Sequence, residues 1–168
     1  RSEIARRLLP IYRYLRQSNE NYAKEYAGHK PNNYKIDDYN ISKLNKETMN
    51  LSKKNASAFK SRLEIILRYI EEMKATPKCV TQPHRYVMEK DGKLYGVPDV
   101  SGEGFSGLDY DYSIKELNSV IFELCGENTL DLYNYNFTGD HFYDGVHSTA
   151  QGSIEMGNAM AKFIIEGY

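Results

Sequence analysis

Apolar positions along this chain fall alternately into helical and strand-like periods. Phe59, Leu63, Ile66, Ile70 and Met73 recur in steps of four, three, four and three, while Lys60, Arg62, Glu64, Arg68 and Glu71 fill the other faces. The spacing predicts an amphipathic helix that starts between residues 51 and 56, covers a sheet and stops before Pro77. Residues 78–82, Lys-Cys-Val-Thr-Gln, form a short β-prone run closed by Pro83, so helix and strand make an αβ unit. Ser113-Ile114-Lys115-Glu116 has the spacing of a capping box. It predicts a helix with Leu117, Ile121 and Leu124 inward, Val120 at their flank and Gly126 at its end. Leu130 to Tyr133 reads as a second short strand. Ser153 to about Glu166 reads as a last helix, with Met156, Met160, Phe163 and Ile164 inside. Near the start, Ser2 to Arg16 sets Ile4, Leu8, Tyr12 and Leu15 on one face, and residues 17–50 follow as an irregular excursion.

Residues 84–112 are polar and turn-rich and read as a loop or hairpin insertion. Asp91-Gly92 between Tyr86-Val87-Met88 and Leu94-Tyr95 predicts a small hairpin, and the Gly/Ser run 101–107 a mobile loop. An insertion that leaves a strand end stands where α/β proteins carry their site loops. Two short strands fall short of a full sheet and would leave a costly open edge. The expected fold is therefore α/β, the C-terminal portion of a larger domain completed by another segment or chain.

Composition narrows the partners. The 168 residues suit one domain, and the net charge of -1 with 27% charged residues and a mean hydropathy of -0.65 describes a soluble surface. No basic face supports nucleic-acid binding. No apolar run approaches the roughly 20 residues that span a bilayer. Fifteen tyrosines against six phenylalanines and no tryptophan can line a polar ligand groove, although packing at half-wet surfaces is the plainer reading. Cys79, in a strand, and Cys125, at a helix end, are expected as free, buried thiols rather than a disulfide. The chain opens on Arg1-Ser2-Glu3 without a methionine or a signal-peptide pattern, which leaves localisation open.

Candidate chemistry concentrates in Phe142-Tyr143-Asp144-Gly145-Val146-His147. Across a turn at Gly145, the Asp144 carboxylate can reach one imidazole nitrogen of His147 and fix its tautomer, leaving the other as a general base. The nucleophile such a base serves is not evident. Ser106 follows Gly104 by two, but Leu108 stands where a Gly-x-Ser-x-Gly elbow needs glycine, and Ser148 adjoins the base too closely. His84 and Gln82, at a strand end, Phe105, in the loop, and His141 are candidate substrate contacts. His29 reads as solvent-exposed. His141, Asp144 and His147 have atoms suitable for zinc but lack a recognisable ligand spacing, so no metal and no cofactor are assigned.

The block from Phe142 to Ile165 resembles the last conserved block of the SGNH/GDSL hydrolases, whose Asp-x-x-His matches Asp144 to His147. Ser148-Thr149-Ala150-Gln151-Gly152 is similar to the continuation that leads into that family's final helix. Helix 59–73 followed by Thr81-Gln82-Pro83 resembles its helix and Thr-Gln-Pro strand, and Arg6 to Arg16 the segment after its third block. The resemblance implies a three-layer α/β/α, flavodoxin-like domain of which residues 1–168 are the C-terminal part. It implies acyl-ester hydrolysis, with a short acyl group on a carbohydrate-like carrier the favoured substrate. In that scheme His147 is the base, Asp144 its orienter, and the serine and oxyanion-hole residues lie in an upstream half, attached or associated. This segment alone would then be inactive. Carbohydrate O-acyl transfer is the enzymatic alternative, and a non-catalytic carbohydrate-binding or structural module the other.

Overall fold

The computed structural model describes residues 39–40, 43–100 and 104–166, so the helix expected over 2–16 lies outside the described residues. Helix α1 spans Lys46–Glu72. It begins earlier than expected because the Asn45 side chain accepts the Glu47 N–H and caps the first turn. Its buried positions are Ser52 and Ala56, with Phe59, Leu63, Leu67 and Ile70 half-buried along the same stripe. Ile66 and Met73, expected inside, are 53% and 69% exposed. At 3.6 residues per turn the stripe passes through Leu67, and Met73 is already the cap beyond the helix.

Strand β1 (Cys79–Val80) pairs in parallel with β4 (Thr129–Leu130), Cys79 opposite Thr129 and Val80 opposite Leu130. Between them in sequence, β2 (Val87–Lys90) and β3 (Lys93–Gly96) form an antiparallel hairpin. It turns at Asp91-Gly92, both at positive φ (53° and 69°) as a two-residue type I′ turn requires. Asn40 bridges Gly96 on the far side of β3. Helix α2 (Gly107–Cys125) starts six residues before the expected cap. Ser106 and Asp109, not Ser113 and Glu116, make the capping box, because Asp109 also accepts the Asn45 N–H at 2.8 Å and so ties α2 to α1. Ser113 instead lies within α2, its hydroxyl 2.7 Å from that of Ser52. Helix α3 spans Ala150–Glu166.

Successive strand residues point to opposite faces, and the two residues of β1 show what covers each. Cys79 is joined by a disulfide to Cys125 at the end of α2. Val80 packs against the cluster of Leu130, Leu132 and Phe163 on the α3 side, with Phe137, Met156, Ala159 and Met160 around it. Helices therefore lie on both faces of the parallel pair, and the architecture is mixed α/β. The disulfide corrects the expectation of free thiols. Each cysteine lies on the element expected for it, but only the packing of the α2 C-terminus over β1 brings the two within bonding reach. Ile164, expected inside, is 64% exposed, while Phe163 beside it is buried.

Candidate active site

The Asp144–His147 turn is held from three sides. Tyr143 donates its N–H to the His147 carbonyl at 2.7 Å, and Phe142, fully buried, bridges Ser148. Arg85 donates its N–H to the Gly145 carbonyl at 2.8 Å, seating the turn on the segment after β1. Only glycine fits at 145, because a Cβ there would stand 2.0 Å from the Tyr86 ring.

Within this turn one Asp144 oxygen accepts the Val146 and His147 N–H groups, both at 2.8 Å. The other lies 2.7 Å from His147 Nδ1. An ionised carboxylate can only accept, so Nδ1 carries a proton and donates it, and in the neutral ring the lone pair is then on Nε2. The imidazole is 61% exposed and the carboxylate 40%. Burial pushes the Asp144 carboxyl up, but the His147 N–H, the imidazole and the Val146 N–H outweigh it and hold the carboxyl below its ordinary range. A fixed tautomer with an outward Nε2 is what a general base needs.

His147 sits on a groove of about 500 Å³ whose wall includes Gln82, Tyr110, Asn118 and Val146 and whose apolar side is Phe59, Val80, Ile114, Leu117 and Ile121. Burial, and then the charge of Asp144, raise the Tyr110 phenol above its usual value, so this hydroxyl stays protonated beside the pair. Of the four candidate contacts, Gln82 shares the groove with His147. Phe105 lines a different cleft, between α1 and α2. His141 accepts the Thr138 N–H on Nδ1 at 3.0 Å and stacks edge-on against Phe137, as part of the turn before α3. The His84 side chain is wholly buried: Nδ1 accepts the Tyr86 N–H at 3.2 Å and Nε2 lies 3.2 Å from Asp111, so it has no nitrogen to offer a ligand.

No protein-family model, curated protein or solved structure matches this chain.

The two serines weighed as nucleophiles are engaged elsewhere. Ser106 Oγ is buried, donating to Asp109 at 2.8 Å, and Ser148 Oγ pairs with Ser153 Oγ at 2.8 Å. Among the described residues no three His, Cys, Asp or Glu side chains gather as for a metal, and no helix is long and apolar enough to cross a membrane. Two features escaped the sequence reading. Asn118 reaches from α2 to the main chain of Gln82, accepting its N–H at 3.0 Å and donating to its carbonyl at 3.4 Å. Asp111 collects His84, Tyr133 Oη and Lys115 Nζ beneath the site. An asparagine amid the apolar positions of a helix was the available signal for the first. Asp111, inside a stretch read as loop, gave none.

Proposed function

We propose that Asp144 and His147 are the acid–base half of a serine-type acyl-ester hydrolase of the SGNH kind. The observation that carries this reading is the 2.7 Å contact from His147 Nδ1 to Asp144, in a largely exposed imidazole that borders a groove. Helices on both faces of a parallel strand pair agree with one part of a three-layer α/β/α domain. In this mechanism Nε2 takes the proton of a serine hydroxyl as its oxygen attacks the ester carbonyl, and returns it to the departing alkoxide as the acyl-enzyme forms. Asp144 keeps Nδ1–H pointing inward and stabilises the imidazolium between the two transfers. Water then repeats the sequence to release the acid.

The serine and the oxyanion donors come from a segment other than the described residues. A short acyl group on a carbohydrate-like carrier is the favoured substrate, because the groove beside His147 offers the Gln82 amide and the Tyr110 hydroxyl as polar contacts at its rim. The test is fluorophosphonate labelling of the complete gene product, with peptide mapping. Label on one serine, lost in His147→Ala, supports the reading. A complete product that takes no label and cleaves no acetyl ester refutes it.

A further inference from the structure

We infer that Tyr110 determines specificity through the alcohol part of the ester: its hydroxyl binds a free hydroxyl on a carbon next to the ester oxygen. This rests on the reading of His147 as the base of a serine hydrolase. The first observation is a missing partner. Partly buried phenols ordinarily find one for the hydroxyl. Tyr39 donates to the Arg85 carbonyl at 2.9 Å, and Tyr133 donates to Asp111. Tyr110 is half-buried too, yet its hydroxyl bonds to nothing among the described residues. On the same groove, Gln82 donates its Nε2 to the Pro83 carbonyl at 3.0 Å, and its Oε1 likewise has no partner among them.

The Tyr110 ring cannot easily carry its hydroxyl away. Tyr86 and His84 meet it edge-on at centroid distances of 4.8 and 5.2 Å, and Phe105 does so at 6.4 Å. Tyr86 also abuts Gly145, where a Cβ would stand 2.0 Å from its ring. The stack that seats the Asp144–His147 turn therefore also fixes the phenol relative to His147. A group held in place before the substrate arrives loses little freedom on binding it.

The chemistry decides which part of the substrate it meets. The imidazole returns its proton to the departing alkoxide, so the alcohol part of the ester lies against His147. The acyl oxygen points instead to the oxyanion donors, which come from elsewhere. Tyr110 shares the groove with His147, and the charge of Asp144 is felt at its hydroxyl. It therefore faces the alcohol part. A protonated phenol both donates and accepts, as a sugar or polyol hydroxyl does, and the Gln82 oxygen adds an acceptor. A hydrocarbon alcohol would displace water from both groups and give nothing back. Because both residues line one groove of about 500 Å³, the hydroxyl that is read lies close to the ester. The substrate class is thus the half-ester of a vicinal diol, as in a partly acylated sugar, rather than the ester of a lipid alcohol.

Two probes that differ by that one hydroxyl test this on the complete gene product: trans-cyclohexane-1,2-diol monoacetate and cyclohexyl acetate. Wild type should favour the diol ester by about five- to tenfold in kcat/KM, the usual effect of one uncharged hydrogen bond, and Tyr110→Phe should bring the two within about twofold. A role in packing alone would move both rates and leave their ratio. A ratio near unity in wild type, or one retained in Tyr110→Phe, therefore overturns the proposal. Binding is read without turnover from the fluorine NMR signal of 3-fluorotyrosine in place of Tyr110, in the His147→Ala background. The diol ester should shift it saturably and cyclohexyl acetate should not; an equal response to both, or none to either, overturns the proposal. The fluorophosphonate result is separate. A selective shift in a product that takes no label keeps the Tyr110 contact and sinks the hydrolase, while label with an unmoved ratio does the reverse.

Discussion

Removing the Cys79–Cys125 bond should cost this protein more than most single changes on its surface. The bridge closes a loop 46 residues apart in sequence, which holds the hairpin, most of α2 and both partners of the buried His84–Asp111 pair. In the chain-entropy treatment, freeing a loop of that length stabilises the unfolded state by about 4 kcal/mol at 25 °C, at the upper end of the usual 2–4 kcal/mol. For a chain of this size each kcal/mol moves the midpoint by about 2–4 °C, so a loss of roughly 10 °C is expected. The perturbation is the double variant Cys79→Ala/Cys125→Ala, beside wild type with and without reductant, all followed by far-UV circular dichroism. Part of the loss in the double variant will come from the half-buried and buried side chains themselves, which reduction of wild type leaves in place. Alkylation before and after reduction, read by intact mass, confirms the starting state. A midpoint within about 2 °C across all samples, with the bond demonstrably broken, would refute the reasoning.

Other expectations concern the site. His147→Ala should lower ester turnover in the complete protein by at least about 10³-fold. Its melting should stay within about 0.5 kcal/mol of wild type, since the ring is exposed. Equal loss of both would make His147 structural instead. Asp144→Asn should lower turnover by about 10²–10⁴-fold, because an amide can present its NH₂ to Nδ1 and favour the wrong tautomer; a pH–rate profile and turnover identical to wild type count against the pair. Gly145→Ala puts a Cβ 2.0 Å from the Tyr86 ring. Relieving that overlap should cost about 1–3 kcal/mol and displace the turn. Thermal melts and kcat together check this, and an unchanged value in both shows that the turn does not rest on Tyr86.

Much of this architecture is readable from local pattern, and the failures share one cause. The hairpin turn at Asp91-Gly92, the end of α2 at Gly126 and the inward set of Met156, Met160 and Phe163 depend on neighbours within a few residues. The start of α2 does not. Ser106 and Ser113 both precede an acidic residue at the capping-box interval, and what separates them is the Asn45 N–H, 64 residues from Asp109. Cys79 with Cys125 is the same problem at 46 residues, and Thr81 with Asp131, 2.9 Å apart, at 50. Strand lengths also shrank: Leu130 pairs with β1, but Asp131 turns aside to accept Thr81 Oγ1 and the Asn134 side chain. At the site, Asp144 and His147 were legible because three residues separate them. The burial of His84 and the place of Asn118 were not, since each depends on how α2 lies over β1.

Among the described residues there are two Asp–His pairs, and their contrast is the reason for proposing chemistry at only one. At Asp144–His147 the imidazole is bonded through Nδ1, and the ring is largely exposed beside the groove. At Asp111–His84 the ring is fully buried with both nitrogens occupied, and the carboxylate also binds Lys115 at 2.9 Å and the Tyr133 hydroxyl. Such a pair can brace α2 against the segment after β1, but it cannot accept a proton from a substrate. Bracing has a pH signature. Burial pushes the Asp111 carboxyl up, yet His84, Lys115 and Tyr133 outweigh it, so in the folded protein it lies below its ordinary value of 3.8. Asp144 is depressed likewise. A depressed carboxyl means that the unfolded chain takes up its proton first on acidification. The stabilisation is therefore fully present well above pH 3.8 and is lost as pH falls through the folded-state values below it. Wild type should lose midpoint temperature steeply below about pH 4. Asp111→Ala, which strands the buried His84 and Tyr133, should already be about 3–5 kcal/mol less stable at pH 7. Its acid limb should be shallower, because one of the two carboxyls held low among the described residues has gone. Melts of both proteins from pH 2.5 to 7 decide the matter: parallel acid limbs would show that Asp111 is not the group whose protonation loosens the fold.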